Sequence, residues 1–174
     1  HEEYYASWFG VSTDIDDNSP LIQNALNAIP SGSILIFGPG IYKCQQTITI
    51  PDNPSISGHL KYITIKGSSD LPGNIFCHVT RLQYTGPNPA TLTPFIDFRG
   101  STGNRCFLGS LRNIVFVGLG NDSNIVGLWF YDCVGSLFDS IHVVKFKYGI
   151  QIDMYYYYSK FNDVLCAYCD YGLK

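Results

Sequence analysis

The chain has 174 residues and a formal net charge of −3, with Asp, Glu, Lys and Arg making up only 14% of it and Phe, Trp and Tyr 15%. That length is ample for one buried core and short for two domains. The acidic balance argues against a nucleic-acid-binding surface. No apolar run approaches a membrane span, and no signal-peptide pattern is visible, so neither nucleic acid nor membrane is expected as a partner.

In chain order, the first feature is "WFG" followed by a loop carrying Asp14, Asp16 and Asp17. Ser19 is then read as a helix N-cap and Pro20 as the first helical residue, with Leu21, Ile22, Ala25, Leu26 and Ile29 forming one apolar face. Pro30 and Gly32 end the helix. "SILIF" reads as a buried strand, "GPG" as a sharp turn and "TITI" as an alternating strand. The organisation expected is an N-terminal loop and capping helix over 1–32, and repeated β-structure over 33–174.

Three later segments repeat: "SLRNIVFVG" from Ser110, "SLFDSIHVV" from Ser136 and "SKFNDVLCA" from Ser159. Ile114, Ile141 and Val164 hold the same place in each, 27 and 23 residues apart. A second element follows each one, around Gly127, Gly149 and Gly172, at intervals of 22 and 23 residues. A period in the low twenties, with two short β-rich runs per repeat and Gly, Asn, Asp or Ser at the corners, is a solenoid pattern. The fixed Leu and Asn spacing of leucine-rich repeats is missing, so the fold class expected is all-β, a parallel β-helix with a short N-terminal capping helix. Alternation places Ile114, Phe116, Ile141 and Val143 inside, and Val115, His142 and Leu165 outside. In the second run Leu128, Ile150 and Leu173 stack inward, and Trp129, Gln151 and Lys174 form the outward column. The sequence stops at "YGLK", inside a strand and without a cap. It is therefore expected to be the N-terminal part of something longer, or to be completed by a partner.

The stretch from "WFG" through "DNSPLIQNAL", "GSILIFGPGIYK" and "YITIKGSS" resembles the start of the pectate-lyase-like superfamily of right-handed β-helices, which includes phage tailspikes, depolymerases and many polysaccharide-cleaving enzymes. The resemblance covers roughly the first seventy residues by motif and the remainder by repeat pattern. One departure is that Ser12, Thr13, Asp14 and Ile15 stand where the family's loop usually carries Gly-Asp-Gly. The resemblance implies the N-terminal part of a tailspike-like protein that recognises a surface polysaccharide, with its depolymerisation by the complete form left open, that self-associates as a parallel homotrimer and resides in a virion or outside the cell. Two alternatives stand beside it: a secreted polysaccharide lyase or glycoside hydrolase, and a non-enzymatic structural β-helix of a virion or appendage.

Polysaccharide hydrolysis needs paired carboxylates, and β-elimination at a uronic acid needs a base and often calcium. Asp132 and Asp153 follow their glycines by five and four residues, and Asp139 and Asp163 sit near equivalent corners. These four are the catalytic candidates, against the alternative that they cap turns. The polygalacturonase-type motifs are absent, and Asp16 and Asp17 are read as a helix-end pair. No complete active site is visible, so enzymatic activity is left undecided, and no cofactor is expected unless a longer chain proves to be a calcium-dependent lyase. His142 is read as a surface residue, and His59 and His78 lie in connecting segments without an obvious partner. Trp129, Tyr155 and Tyr157 are the candidates for stacking on sugar rings, weighed against packing on a neighbouring chain.

The six cysteines do not form the disulfide framework of a small secreted domain. Cys166 and Cys169 form a C-x-x-C, but an offset of three along a strand puts the two thiols on opposite faces, against a redox or metal role. Cys106 and Cys133 are expected to stack on adjacent coils, as a disulfide or as free buried thiols.

Overall fold

The structure, a computed structural model, describes residues 2–68, 80–103, 105–154 and 157–174. Strand β1 (Glu3–Tyr5) and a 3₁₀ turn at Ala6–Phe9 precede helix α1 (Ser19–Ala28). A first layer follows with β2 (Ile34–Ile36), β3 (Gly40–Cys44) and β4 (Ile48–Thr49), and a second with β5 (Thr64–Lys66), β6 (Thr80–Tyr84) and β7 (Thr93–Phe98). The third has β8 (Cys106–Phe107), β9 (Ser110–Val117) and β10 (Ile125–Phe130), and the fourth β11 (Asp132–Cys133), β12 (Leu137–Val144) and β13 (Tyr148–Ile152). A fifth has β14 (Lys160–Ala167) and β15 (Tyr171–Leu173).

Every strand pair among the described residues is parallel, and apart from β1 on β2 each pair joins strands of different layers. One sheet runs β1-β2-β5-β9-β12-β14, with β3 and β6 alongside, a second runs β4-β7-β10-β13-β15, and β8 pairs with β11 in a third. Each strand thus lies on its counterpart one layer earlier. The repeat alignment read from sequence holds at its aliphatic positions, with Ile114, Ile141 and Val164 in register and Leu128, Ile150 and Leu173 likewise, whereas Ser110 falls opposite Leu137 instead of Ser136.

Stacking of like on like fills the interior. Leu35, Ile65, Leu111 and Phe138 form one buried column, and Ile48, Ile96, Leu128 and Ile150 another. The Phe98 and Phe130 rings stack at 4.3 Å, and Phe138 and Phe161 at 4.6 Å. Burying one such ring contributes about 2 kcal/mol, and the offset stacks add to it. Ile114, Phe116, Ile141 and Val143 are all buried, as alternation requires. Val115, expected outside, is only 7% exposed, because Arg81 and His142 flank it on the neighbouring strands.

The long strands β9, β12 and β14 each turn a corner in mid-course. Asn113, Ser140 and Asp163 hold positive φ there, at 56°, 53° and 49°, and follow one another in the stack. Asn and Asp tolerate this left-handed region better than other residues with a side chain. β9 shows the consequence: its Ser110–Arg112 half pairs with β5, and the half from Ile114 onward pairs with β6. In the second layer, Gly67 lies so close to the Asn113 carbonyl that a Cβ would overlap it.

The N-terminal segment covers the first layer with the buried apolar face of α1, Ile22, Ala25 and Leu26, and satisfies the open backbone with polar side chains. Gln23 on α1 accepts from the Thr49 amide and donates to its carbonyl, both at 2.8 Å, so its side-chain amide completes the outer edge of β4 as another strand would. β1 covers the edge of β2, so part of the segment expected as loop is strand. Lys61 is buried and donates to the carbonyls of Leu26, Asn27 and Ile29 at 3.1, 2.7 and 2.9 Å, satisfying the C-terminal end of α1. Asn18, rather than Ser19, is the N-cap residue. The Asp17 carboxylate accepts from the Ser19 amide, while the Ser19 hydroxyl accepts from the amides of Gln45 and Gln46. The helix-end role read for Asp17 therefore holds, and Asp16 instead pairs with Lys43 at 2.8 Å.

Candidate functional site

A cleft of about 360 Å³ opens where the first three layers enter the long sheet. Its floor is backbone, with Thr64 donating to the Ser33 carbonyl at 3.0 Å and Ser110 to the Ile63 carbonyl at 3.1 Å. Gly109 lets the third layer pass this close, since a Cβ there would overlap the Ile63 carbonyl. Tyr62, Thr64 and Ser110 bring hydroxyls to the lining, Ser33 contributes backbone, and Ile34 and Leu108 bring apolar surface.

Strand alternation sets which side chains face the cleft. Leu35, Ile65 and Leu111 point into the core, so the residues on either side point outward. Ile36, Lys66, Arg112 and Asp139 then form one outward column, in register across β2, β5, β9 and β12. Lys66 and Arg112 stand directly opposite each other on neighbouring strands, roughly 4.8 Å apart in backbone spacing. Like charges in that arrangement repel. The ion pairs among the described residues are Lys43–Asp16, Arg99–Asp97 and Arg105–Asp52, so neither cation of the cleft is neutralised by a carboxylate of the described residues. The Arg112 Nε is buried without an acceptor.

Of the residues singled out from sequence, Trp129, Asp132, Asp153, Asp163 and Tyr157 do not line the cleft, and Asp139 stands next to Arg112 in its outward column without being part of the lining. Trp129 is half-buried: the Arg99 guanidinium lies 3.9 Å over its ring, and its Nε1 donates to Asp153 at 2.9 Å. Arg99 is held in turn by Asp97 through two bonds of 2.9 and 2.8 Å, and Asp153 also accepts from Gln151 at 2.9 Å. Of the column read as outward, Trp129 and Gln151 are in register within a bonded ladder in which Arg99 occupies one face of the indole, but Gln151 is buried there and the Lys174 ammonium lies over the Tyr148 ring. Asp153 belongs to this ladder and Asp132 does not. Asp132 stands opposite Cys106, which bridges in turn to His59, and burial raises its carboxyl above the ordinary aspartate value. Its Oδ1 and the His59 Nδ1 are both buried without a partner.

Asp139 stands opposite Arg112 on one side and Asn162 on the other, while Asp163 takes the corner place after Asn113 and Ser140. The two are one residue out of register. Tyr157 is exposed, and Tyr155 lies outside the described residues, as do Cys77 and His78. Cys106 and Cys133 are free thiols, also one residue out of register, since Cys133 pairs with Phe107. The C-x-x-C is a correction: Tyr168 between the two cysteines has φ 54°, the chain bends there, and both thiols pack against the core. Burial pushes Cys166 up to about 11. The described residues contain no cluster of three or more His, Cys, Asp or Glu side chains arranged to hold a metal ion.

The cleft's cations were not found from sequence. Lys66 and Arg112 are 46 residues apart, about twice the period that aligns the later repeats, and residues 69–79 separate β5 from β6 in the sequence. The available signal was the position of each just before a corner, Lys66 before Gly67 and Arg112 before Asn113.

No family model and no curated protein sequence matches the chain. Among solved structures it is similar to ORF18 of Geobacillus virus E2, with a TM-score of 0.64 and 22% identity, over 86% of this chain and 27% of that one. The chain therefore has a fold found in a phage protein, and spans little more than a quarter of that protein's length. A chain from Parabacteroides merdae ATCC 43184, provisionally described as a glycosyl hydrolase, matches with a TM-score of 0.39 and 14% identity, over 97% of this chain and 95% of that one. That second likeness is too loose to bear on fold or function.

Proposed function

We propose that the chain is a segment of a phage tailspike-like protein, a right-handed parallel β-helix of the pectate-lyase-like kind, that binds a surface polysaccharide. Residues 1–32 serve as its cap and 33–174 as its coils, and its place is the virion. The phage protein of like fold supports the setting. The observation that carries the binding reading is the cleft, which crosses three stacked strands and combines hydroxyls and backbone with Tyr62 and two apolar side chains. A concave strip of that kind suits a saccharide, whose ring faces are apolar and whose edges are hydroxyls. Self-association is part of the proposal, and the exposed rings of Tyr158 and Tyr168, 90% and 81% accessible, are available to a neighbouring chain. No catalytic role is assigned to Asp132, Asp139, Asp153 or Asp163, which the fold distributes over separate surroundings.

The test is affinity electrophoresis of the chain through gels containing bacterial surface polysaccharides, with Tyr62→Ala as the variant. Retardation by at least one polysaccharide, lost in the variant while its circular dichroism is unchanged, is the expected result. Unretarded migration through the whole panel defeats the reading.

A further inference from the structure

The cleft carries a charge pattern that the chain as a whole does not. The protein is net acidic at −3, yet the two charged side chains lining this cleft are both cations, Lys66 and Arg112, directly opposite each other on β5 and β9. Holding two like charges at strand spacing costs stability unless a counter-charge sits between or above them. Among the described residues neither takes part in an ion pair, and Asp139, next after Arg112 in the column, is not within ion-pair distance of it. The Arg112 Nε is buried without a partner, and the side chain as a whole is half-buried.

From this unmet pair we infer that the cleft takes an anionic saccharide chain lying along the stacking direction, across the strands, with its carboxylate or phosphate groups on Lys66 and Arg112. This rests on the polysaccharide-binding reading and names the chemical class it selects. Arg112 supplies directional donors and Lys66 a mobile charge, so the arginine sets register and the lysine adds attraction. Tyr62, on the layer of Lys66, offers a ring to the sugar between charges.

The experiment is calorimetric titration of the chain with three probes: an oligogalacturonate for the carboxylate, a phosphorylated mannan for the phosphate, and dextran as the neutral control. At least one anionic probe is expected to bind, with affinity falling about tenfold or more in Lys66→Ala and in Arg112→Gln, largely retained in Lys66→Arg, and weakened by added salt. Which anionic probe binds identifies the group recognised. Unchanged binding of the anionic probes in the Lys66→Ala/Arg112→Gln double variant, with its fold verified by circular dichroism, overturns the assignment. Equal and salt-insensitive binding of dextran also overturns it, while leaving the polysaccharide reading intact. Failure of all three probes, with retardation by a neutral surface polysaccharide in the gel assay, removes the anionic selectivity alone; failure in both assays removes the two readings together.

Discussion

The N-terminal cover and the later layers hold themselves together by different means. Around the ends of α1 and along β4 polar contacts close the backbone: Gln23 on the edge of β4, Lys61 on the helix carbonyls, Asp17 on the Ser19 amide at the helix start, and the Ser19 hydroxyl on the Gln45 amide before β4. In the third and fourth layers the contacts are rings and aliphatic side chains stacked on their own kind, with Phe130 against Phe98, Phe107 and Phe138. The difference follows from what each must cover. A layer in mid-stack meets another layer with the same side chains at the same positions, so like packs on like. The first layer has an outer edge of unpaired backbone groups, which only donors and acceptors can satisfy.

This contrast can be broken at several points. The largest effect is expected in the stacked layers: Phe130→Ala empties a fully buried site touched by three rings, and should lower the unfolding free energy by about 3–5 kcal/mol in urea titration. A loss below about 1 kcal/mol would mean the layers are not packed as described. Next comes Lys61→Met, which removes three charge-assisted bonds to the end of α1. It should cost about 2 kcal/mol, with amide exchange accelerated first in α1 and β4.

The smallest effect concerns acid. Burial alone would raise the Asp17 carboxyl, but hydrogen bonds from the Ser19 side chain, the backbone amides of Gln45 and Ser19, and the Gln46 side chain outweigh it and hold its pKa below the ordinary aspartate value. A depressed folded-state pKa gives stability that is present above the unfolded value, about 3.9, and lost as the pH falls through the folded one. Asp17→Asn should therefore lower Tm at neutral pH, and the gap to the unsubstituted protein should close under acid. A gap that stays constant down to strong acid would show that the Asp17 charge does not hold the cover.

Much of the fold is legible in the sequence because a repeat writes the same information several times. Ile114, Ile141 and Val164 hold the same place in their repeats, and the strand register agrees. The helix face of Ile22, Ala25 and Leu26 was equally clear, since a single amphipathic period defines it. The first two layers were less so, because β2 and β3, like β5 and β6, are separate strands where the later layers have one continuous strand. The candidate site suffered most: its cations belong to layers two and three, on opposite sides of that irregularity.

What the sequence determined by itself is periodicity: how often the chain returns, which side chains face inward, and where a short helix precedes the strands. Those are local properties, set by alternation and by the residues that favour corners. Tertiary structure decided every relation that depends on register by a single residue. Asp139 falls opposite Asn162 instead of Asp163, Cys106 opposite Asp132 instead of Cys133, and Trp129 under Arg99 instead of open to solvent. Only the stacked layers bring Lys66 to Arg112. The reason is geometric: a shift of one residue reverses the face of a side chain, and a corner such as Tyr168 can turn it back again, so pairing across layers follows from the path of the whole coil.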